Sequence, residues 1–217
     1  MNKVFSVWKP ANITSYDIIR KIKTFNNSYR IGHCGTLDPF AEGVVVICMG
    51  ESTKKSHIYM NQEKQYIAKI IFGKETDTLD LTGAVIKTCD TPKFDSSTFT
   101  EILQNFKGEI NQVPPYYSAK KINNIKMYDF ARNDIFIKLK PVKVFVNNIK
   151  LINLSQNGAL IEINCNKGTY IRSLARDIAY KLGTYGYLES LERISVGEFN
   201  KQNSIKFKDL SSCKFIN

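Results

Sequence analysis

The chain has 217 residues, enough to bury the core of one large domain or of two small ones. The composition, 43% hydrophobic and 24% charged residues, is ordinary for a globular protein, and no apolar run approaches the ~18 residues of a membrane span, which excludes a membrane-embedded protein. The apolar run at the start of the chain is too short for a signal peptide, so we expect a cytoplasmic protein. The net charge of +11 favours a polyanionic partner such as nucleic acid, although a general lysine bias of the genome would give the same excess.

The first third of the sequence predicts short elements around a long turn. Isoleucines at helical spacing follow Ser15, a residue type that favours helix N-caps. The turn carries the letters GHCGTLDP, which are typical of irregular backbone. In chain order we predict a strand over 4–8, a helix over 16–25 capped by Ser15, the turn over 32–39, a buried strand over 44–49 and a short helix that is capped by Ser52 and ends at Tyr59.

The rest of the chain predicts antiparallel strands and two more helices. Alternation places Tyr66 and Phe72 on one face of a strand, and Thr98 with Glu101 forms a capping-box pattern. The remaining elements are strands over 84–88, 135–139, 142–153 and 159–165, a helix ending near Phe106, and a helix capped by Thr169 that ends at Leu182 before Gly183. The fold class is therefore α/β (α+β), with a mixed, mainly antiparallel sheet flanked by helices.

Cysteine and histidine are distributed in a way that disfavours a metal centre. The five cysteines are scattered without a C-x-x-C pair, and the only histidines are His33 and His57. An odd number of unclustered cysteines also disfavours a disulfide framework. We expect chemistry without a metal or any other cofactor.

Residues 32–44 carry the longest motif in the chain, GHCGTLDPFAEGV. Aspartate before proline is common in turns, so Asp38-Pro39 alone would indicate only an Asx turn. The complete motif resembles the signature of the TruB family, the tRNA pseudouridine-55 synthases, in which G-H-x-G-x-L-D-P-x-A-x-G holds the catalytic aspartate.

Further segments resemble the same family in the expected order, over about residues 4 to 199. One departure is Asn12, which stands where the family's K-P-x-G-x-[ST]-S opening has glycine. The matching segments are Lys9-Pro10 with Thr14-Ser15, Lys64-Gln65-Tyr66, GKETDTLD at 73–80, PPYYSAKK at 114–121, KGTYIRSL at 167–174 and Leu191-Glu192-Arg193.

The resemblance implies a pseudouridine synthase fold over residues 1–199, followed by a short basic tail, 200–217, without a full RNA-binding domain of the PUA type. It implies an enzyme that detaches one uracil in the T-arm of tRNA from its ribose, turns the base and rejoins it through C5. Such an isomerisation needs no redox carrier or energy source. The implied partner is the tRNA T-arm stem-loop, with no membrane and no metal, and we expect a monomer.

The resemblance also implies roles for individual residues. Asp38 is the catalytic carboxylate, Arg172 its ion-pair partner, and Tyr66 stacks on the target base. The alternatives are an Asx turn for Asp38, a phosphate contact for Arg172 and a core position for Tyr66. The implied substrate-binding residues are His33, which takes the place of the extruded base, Tyr170 and Leu191, which enclose that base, and Lys9, Lys120 and Lys121, which contact phosphate.

Two other functions remain open at this stage. One is a pseudouridine synthase of another family acting on ribosomal RNA, but those chains usually carry arginine directly before Leu-Asp, where this chain has Thr36. The other is an RNA-binding module or a tRNA-folding chaperone without catalysis. A pure binder would have no need of Asp38, Tyr66 and Arg172 together.

Overall fold

The computed structural model describes residues 2–118, 121–122, 125–127 and 139–213. Lys120 and residues 135–138 of a predicted strand lie outside these ranges, and Lys121 is described by its backbone alone. The helices are α1 (Ser15–Lys23), α2 (Ser56–Met60), α3 (Ser96–Gln104) and α4 (Ile171–Lys181), with 3-10 turns at Gly50–Lys55 and Phe207–Ser212. The strands are β1 (Lys3–Lys9), β2 (Ile31–Cys34), β3 (Glu42–Met49), β4 (Lys64–Phe72), β5 (Lys74–Thr76), β6 (Val85–Thr88), β7 (Gly108–Gln112), β8 (Lys121–Ile122), β9 (Ile125–Lys126), β10 (Val142–Ser155), β11 (Gly158–Cys165), β12 (Gly186–Val196), β13 (Phe199–Asn200) and β14 (Ile205–Lys206).

The chain divides into two compact units, each discontinuous in sequence. Unit 1 comprises Met1–Ile67, Asn164–Lys167 and Leu191–Asn217, and unit 2 comprises Ala68–Ile163 and Gly168–Ser190. The single domain predicted over residues 1–199 therefore contains two units, and the division between them falls inside strands β4, β11 and β12.

Strand β3 organises the sheet of unit 1. One edge of β3 pairs antiparallel with β1 along its whole length. The other edge is shared, because β12 pairs in parallel with Glu42 and Gly43, whereas β2 pairs antiparallel with residues 46–49. With both edges occupied, residues 43–49 are all buried, which confirms the buried strand predicted from the apolar run. The predicted turn over 32–39 is wrong for its first three residues, since residues 32–34 belong to β2.

Helix α1 begins one residue earlier than predicted, and its cap is Thr14. The Thr14 hydroxyl accepts the Asp17 backbone N–H at 3.2 Å, and the Asp17 carboxylate accepts the Thr14 N–H at 2.7 Å, forming a capping box. Ser15 is inside the helix and buried. Asn12 has φ of 66°, a left-handed conformation that asparagine tolerates better than most residues, which explains how it replaces the family's glycine.

The C-terminal segment is part of the fold of unit 1 and not a separate tail. Strand β14 pairs in parallel with Val7 and Trp8 of β1. The following 3-10 turn buries Leu210 completely, and Lys21 of α1 lies 4.4 Å from the centre of the Phe207 ring. Residues 205–206 therefore extend the sheet of unit 1 at the edge of β1.

Unit 2 contains strand β11 between β4 and β10, with β7 at the edge beyond β10. Helix α3 buries Phe99 and Leu103, and Phe99 packs against the rings of Phe72 and Phe94 at centroid distances of 5.9 and 5.8 Å. The predicted strands over 142–153 and 159–165 are confirmed by β10 and β11. Neither β7 nor β12 was predicted.

Three of the predicted helix caps are wrong, and one predicted helix end is confirmed. Asp95, not Thr98, caps α3 by accepting the Thr98 N–H at 2.8 Å. At the start of α4 the cap position is Tyr170, and Ser52 likewise lies within a 3-10 turn and does not cap a helix. The predicted stop at Gly183 is confirmed, because its φ of 78° lets Thr184 N–H bond back to the Ala179 carbonyl at 3.0 Å. Among the residues described, no helix has the length and apolar character needed to cross a membrane.

Candidate active site

Asp38 lies in the connection between β2 and β3, which spans residues 35–41. Its side chain is half-buried, and its carbonyl accepts the Ala41 N–H at 3.2 Å. The Pro39 carbonyl accepts the Asn12 N–H at 2.7 Å, so the connection is bonded to the loop that follows β1. Asp38 thus projects from a turn whose backbone is fixed by neighbouring segments.

Lys9 is buried beside this turn, with 0% of its surface exposed. Its Nζ donates to the carbonyls of Pro10 at 2.9 Å, Ile13 at 2.8 Å, Pro39 at 3.2 Å and Ala41 at 2.6 Å. The prediction that Lys9 contacts phosphate is therefore wrong, because the ammonium group is enclosed by carbonyl oxygens. Lys9 instead ties the end of β1 to the turn that carries Asp38.

Burial, together with the positive charge of Arg193, lowers the pKa of Lys9 to about 8 against the opposing effect of the Asp38 charge. Lysine in an unfolded chain titrates near a pKa of about 10.4. Between these two pKa values the unfolded chain binds more protons at this residue than the folded chain does. The stability that depends on Lys9 should therefore rise with pH from about 8 to about 10.4.

We expect Lys9→Met to lower the free energy of unfolding by about 1–3 kcal/mol near neutral pH, because buried carbonyls lose their donor. The gap between wild type and variant should widen by about 1–2 kcal/mol between about pH 7.5 and about pH 9.5. Urea unfolding at both pH values measures it, with the exposed Lys54 changed to Met as the control. A gap that stays constant would show that Lys9 is not a buried cation with a lowered pKa.

Tyr66 lies on β4 in unit 1 and exposes only 7% of its surface. Burial raises the pKa of its hydroxyl to about 12, while the charge of Arg193 and a hydrogen bond from it act in the opposite direction. The negative charge of Asp38 raises the same pKa, so the carboxylate is near enough to interact with the tyrosine. At neutral pH the Tyr66 hydroxyl is therefore protonated and serves as a hydrogen-bond donor.

His33 lies on β2, where it pairs with Ile47. Burial lowers its pKa and the charge of Arg193 adds to that shift, so the imidazole is neutral at pH 7. Its Nδ1 is buried and has no hydrogen-bond partner among the described residues. A neutral, half-buried ring is suited to stacking on bases and not to attracting phosphate. Leu191, on β12, is buried in the same unit.

Arg172, in unit 2, lies in the first turn of α4 and exposes only 4% of its surface. Its Nη1 donates to the Thr78 carbonyl at 2.8 Å and lies 3.5 Å from Oδ2 of Asp80, and its Nη2 donates to the Tyr117 carbonyl at 2.9 Å. The other carboxylate oxygen of Asp80 accepts from the Thr82 N–H at 3.0 Å and from the Thr78 hydroxyl at 2.8 Å. Arg172 is thus oriented by a buried carboxylate that the sequence motif contained but that was not predicted as its partner.

The backbone between Thr78 and Asp80 is strained. Leu79 has φ of 62°, which is unusual for a residue with a branched apolar side chain and costs on the order of 1–3 kcal/mol. The conformation is held because Leu79 N–H bonds to the Thr76 carbonyl at 3.1 Å and its own carbonyl accepts the Leu188 N–H at 3.1 Å. This strained residue separates two of the three groups that bind Arg172, the Thr78 carbonyl and the Asp80 carboxylate.

Gln112 fixes the residue that precedes α4. Its side chain is fully buried and clasps the Tyr170 backbone, accepting the N–H at 2.8 Å and donating to the carbonyl at 3.1 Å. Gln112 therefore fixes the backbone of the residue at the N-cap of α4, a position that the prediction gave to Thr169. The Tyr170 side chain itself is half-buried.

Comparison with known proteins identifies the family. The model described as "TruB family pseudouridylate synthase (N terminal domain)" matches residues 20–171. A protein of Clostridium tetani named "tRNA pseudouridine synthase B" is 43% identical over 97% of this chain and 73% of its own length. The chain belongs to the TruB family of pseudouridylate synthases. The family prediction and the enzyme class are thereby confirmed.

Other TruB relatives and solved structures agree. A protein of the same name from Clostridioides difficile is 38% identical over 97% of this chain and 70% of its own length. A chain in the "Crystal Structure of a Cbf5-Nop10-Gar1 Complex" superposes with a TM-score of 0.74 at 24% identity over 96% of this chain. A chain in the "Structure of H/ACA RNP bound to a substrate RNA containing 2'-deoxyuridine" superposes with a TM-score of 0.71 at 22% identity over 96% of this chain. These likenesses confirm the fold class. The chain spans about half the length of those two solved chains, 53% and 52%.

The TruB motif residues fall in both units. Asp38, Tyr66, His33 and Leu191 belong to unit 1, whereas Arg172 and Tyr170 belong to unit 2. Their catalytic and substrate-binding roles, including the pairing of Asp38 with Arg172, stay predictions. Sequence reasoning missed Asp80 and Gln112, and it gave Arg193 no role. In the sequence, Asp80 and Arg193 stand out only because they lie in TruB motifs. The residues that they bind, Arg172 and the backbone of residues 35–36, are far from them in sequence.

Proposed function

We propose that this chain converts uridine 55 in the T-loop of tRNA into pseudouridine, with Asp38 as the catalytic carboxylate. The observation that carries the proposal is the position of Asp38 in the complete TruB signature, at a fixed turn where its charge acts on Tyr66. Support for tRNA as substrate comes from the relatives named tRNA pseudouridine synthase B, three of which are 38–43% identical to this chain.

The chemistry requires an anion next to the ribose. The bond between N1 of uracil and C1′ breaks, the base turns, and a bond forms between C5 and C1′, after which C5 loses its proton and N1 gains one. A carboxylate stabilises or traps the positive character that develops at C1′, or it accepts the proton from C2′. Asp38 serves either route, because each needs one ionised carboxylate at the sugar.

Tyr66 is assigned to the target base. With its hydroxyl protonated, the ring presents an apolar face for stacking and a donor for a uracil oxygen. A phenol with a pKa of about 12 is a poor base at neutral pH, so it contributes to proton transfer at C5 by hydrogen bonding.

Access to the base requires its extrusion from the T-loop. Extrusion costs stacking energy, and a neutral ring at the vacated position offsets part of that cost. His33 is assigned this role because of its place in the TruB signature and because its neutral, half-buried ring is suited to stacking on bases. Tyr170 and Leu191 are assigned to the extruded uracil from their places in the TruB motifs alone.

Release of tritium from tRNA labelled at C5 of uridine tests this function. Purified protein should release one tritium per tRNA, since one C5 position becomes the glycosidic carbon. A noncatalytic RNA-binding protein or folding chaperone would bind the same tRNA and release none. Binding without tritium release would show that the protein is an RNA-binding protein or chaperone and not a pseudouridine synthase.

We expect a T-arm stem-loop to be nearly as good a substrate as full tRNA, because every side chain assigned to the substrate acts at or near the target base. The comparison is of kcat/KM for both RNAs at one salt concentration, since phosphate contacts make binding salt-dependent. A stem-loop worse by about a hundredfold would place about 2.7 kcal/mol of transition-state stabilisation elsewhere in the tRNA. Recognition confined to the T-arm would then be wrong.

A further inference from the structure

The turn that carries Asp38 is bound by a serine from α1. Ser15 Oγ accepts the Leu37 N–H at 2.9 Å and donates to the Leu37 carbonyl at 3.1 Å, so one hydroxyl closes on the residue directly before Asp38. Ser15 is 2% exposed, which leaves the hydroxyl little competition from water. Because Thr14 caps α1, this hydroxyl is not needed for the helix end.

Arg193 binds the same turn from β12. Its Nε donates to the Val44 carbonyl at 2.7 Å, its Nη1 to the Thr36 carbonyl at 3.3 Å and its Nη2 to the Gly35 carbonyl at 3.2 Å. The side chain is 1% exposed and is among the largest that are fully buried. The three acceptors use three different nitrogens, so the planar fork matches the path of the backbone on both sides of Asp38.

The approach of β12 to this turn is built into β3. Gly43 has φ of 128°, and a Cβ at that position would lie 2.3 Å from the Arg193 carbonyl oxygen. Only glycine lets the two backbones come this close, and the parallel pairing of Arg193 with Gly43 follows from it. The pairing of β12 with β3 therefore places the Arg193 guanidinium at the turn that carries Asp38.

We propose that Ser15 and Arg193 are positioning residues that fix the Asp38 carboxylate by binding the backbone on both sides of it. The proposal rests on the proposed function, in which Asp38 is catalytic. A carboxylate that must meet one carbon of the ribose loses rate when its backbone shifts, and a displacement of about 1 Å can cost about a hundredfold. Affinity for tRNA is expected to change little, because both side chains are buried and neither presents a surface to the RNA.

Two adjacent hydroxyls on α1 provide a matched test. Ser15→Ala should lower the single-turnover rate about tenfold, with the Kd for tRNA within about twofold of wild type. Thr14→Ala removes the helix cap and should lower stability while leaving the single-turnover rate unchanged. Equal rates in the two variants would overturn the positioning role of Ser15.

Arg193→Lys completes the test, since lysine keeps the charge but offers one nitrogen for three carbonyls. We expect a fall of about a hundredfold in single-turnover rate at nearly unchanged Kd. A variant that folds less stably yet turns over at the wild-type rate would show a merely structural arginine. Should Arg193→Lys fail to fold, the Ser15 and Thr14 pair decides alone. Full activity of Asp38→Asn would instead refute the proposed function, so the two failures are distinguishable.

Discussion

Asp38→Asn should abolish pseudouridine formation, with a fall of about a thousandfold or more in turnover. Asparagine keeps the shape and the hydrogen-bonding capacity of the side chain but carries no negative charge. It can neither stabilise the positive character at C1′ nor accept a proton from the sugar. The affinity for tRNA should stay near wild type, because the turn remains held through its backbone by Lys9 and Arg193. Single-turnover kinetics and a filter-binding assay separate the two effects.

The control for this variant is Asp17→Asn in the same unit. Asp17 completes the capping box of α1 with Thr14 and pairs with Arg20 at 2.7 Å, so its loss should reduce stability without slowing the reaction. If Asp38→Asn retained more than a few per cent of wild-type turnover, the carboxylate would not take part in the chemistry.

Arg172→Lys should lower turnover by about a hundredfold or more, since lysine cannot bond at once to the Thr78 carbonyl, the Tyr117 carbonyl and the Asp80 carboxylate. The buried Asp80 would lose part of its compensation, so we also expect a loss of about 1–3 kcal/mol in the free energy of unfolding. Activity is compared at a temperature where the variant is fully folded.

Arg176→Lys is the matched control, because Arg176 lies one turn further along α4 and donates to the Val113 carbonyl at 3.1 Å and to Asp177. It should cost stability with a much smaller effect on turnover. If Arg172→Lys raised KM and left kcat unchanged, Arg172 would be a phosphate contact, the alternative that its sequence position left open.

Much of the fold could be predicted from local pattern. The strands at β3, β10 and β11 were predicted because apolar residues fill or alternate along them. The start of α1 and of α3 was displaced by one to three residues, since several residues with capping side chains stand in a row and only the backbone decides which one caps. Strand β12 was missed because Glu189, Glu192 and Arg193 interrupt its apolar residues.

Site residues that lie in sequence motifs could be predicted, whereas those whose role depends on contacts with residues far away in sequence could not. Asp38 and Arg172 were named from their motifs alone. Lys9 was expected on the surface because most lysines are, and only the carbonyls of residues 30 or more positions away show that it is buried. The pairing of Arg172 with Asp80 and the binding of Arg193 to the turn at 35–36 likewise join residues far apart in sequence.

The central claim is that this chain makes pseudouridine at one uridine of the T-loop. Its most direct test is to incubate an unmodified tRNA transcript with the purified protein and to map pseudouridine by primer extension after carbodiimide treatment. We predict a single stop at uridine 55, absent with Asp38→Asn. No stop with the wild-type protein, or stops at other uridines and none in the T-loop, would contradict the account.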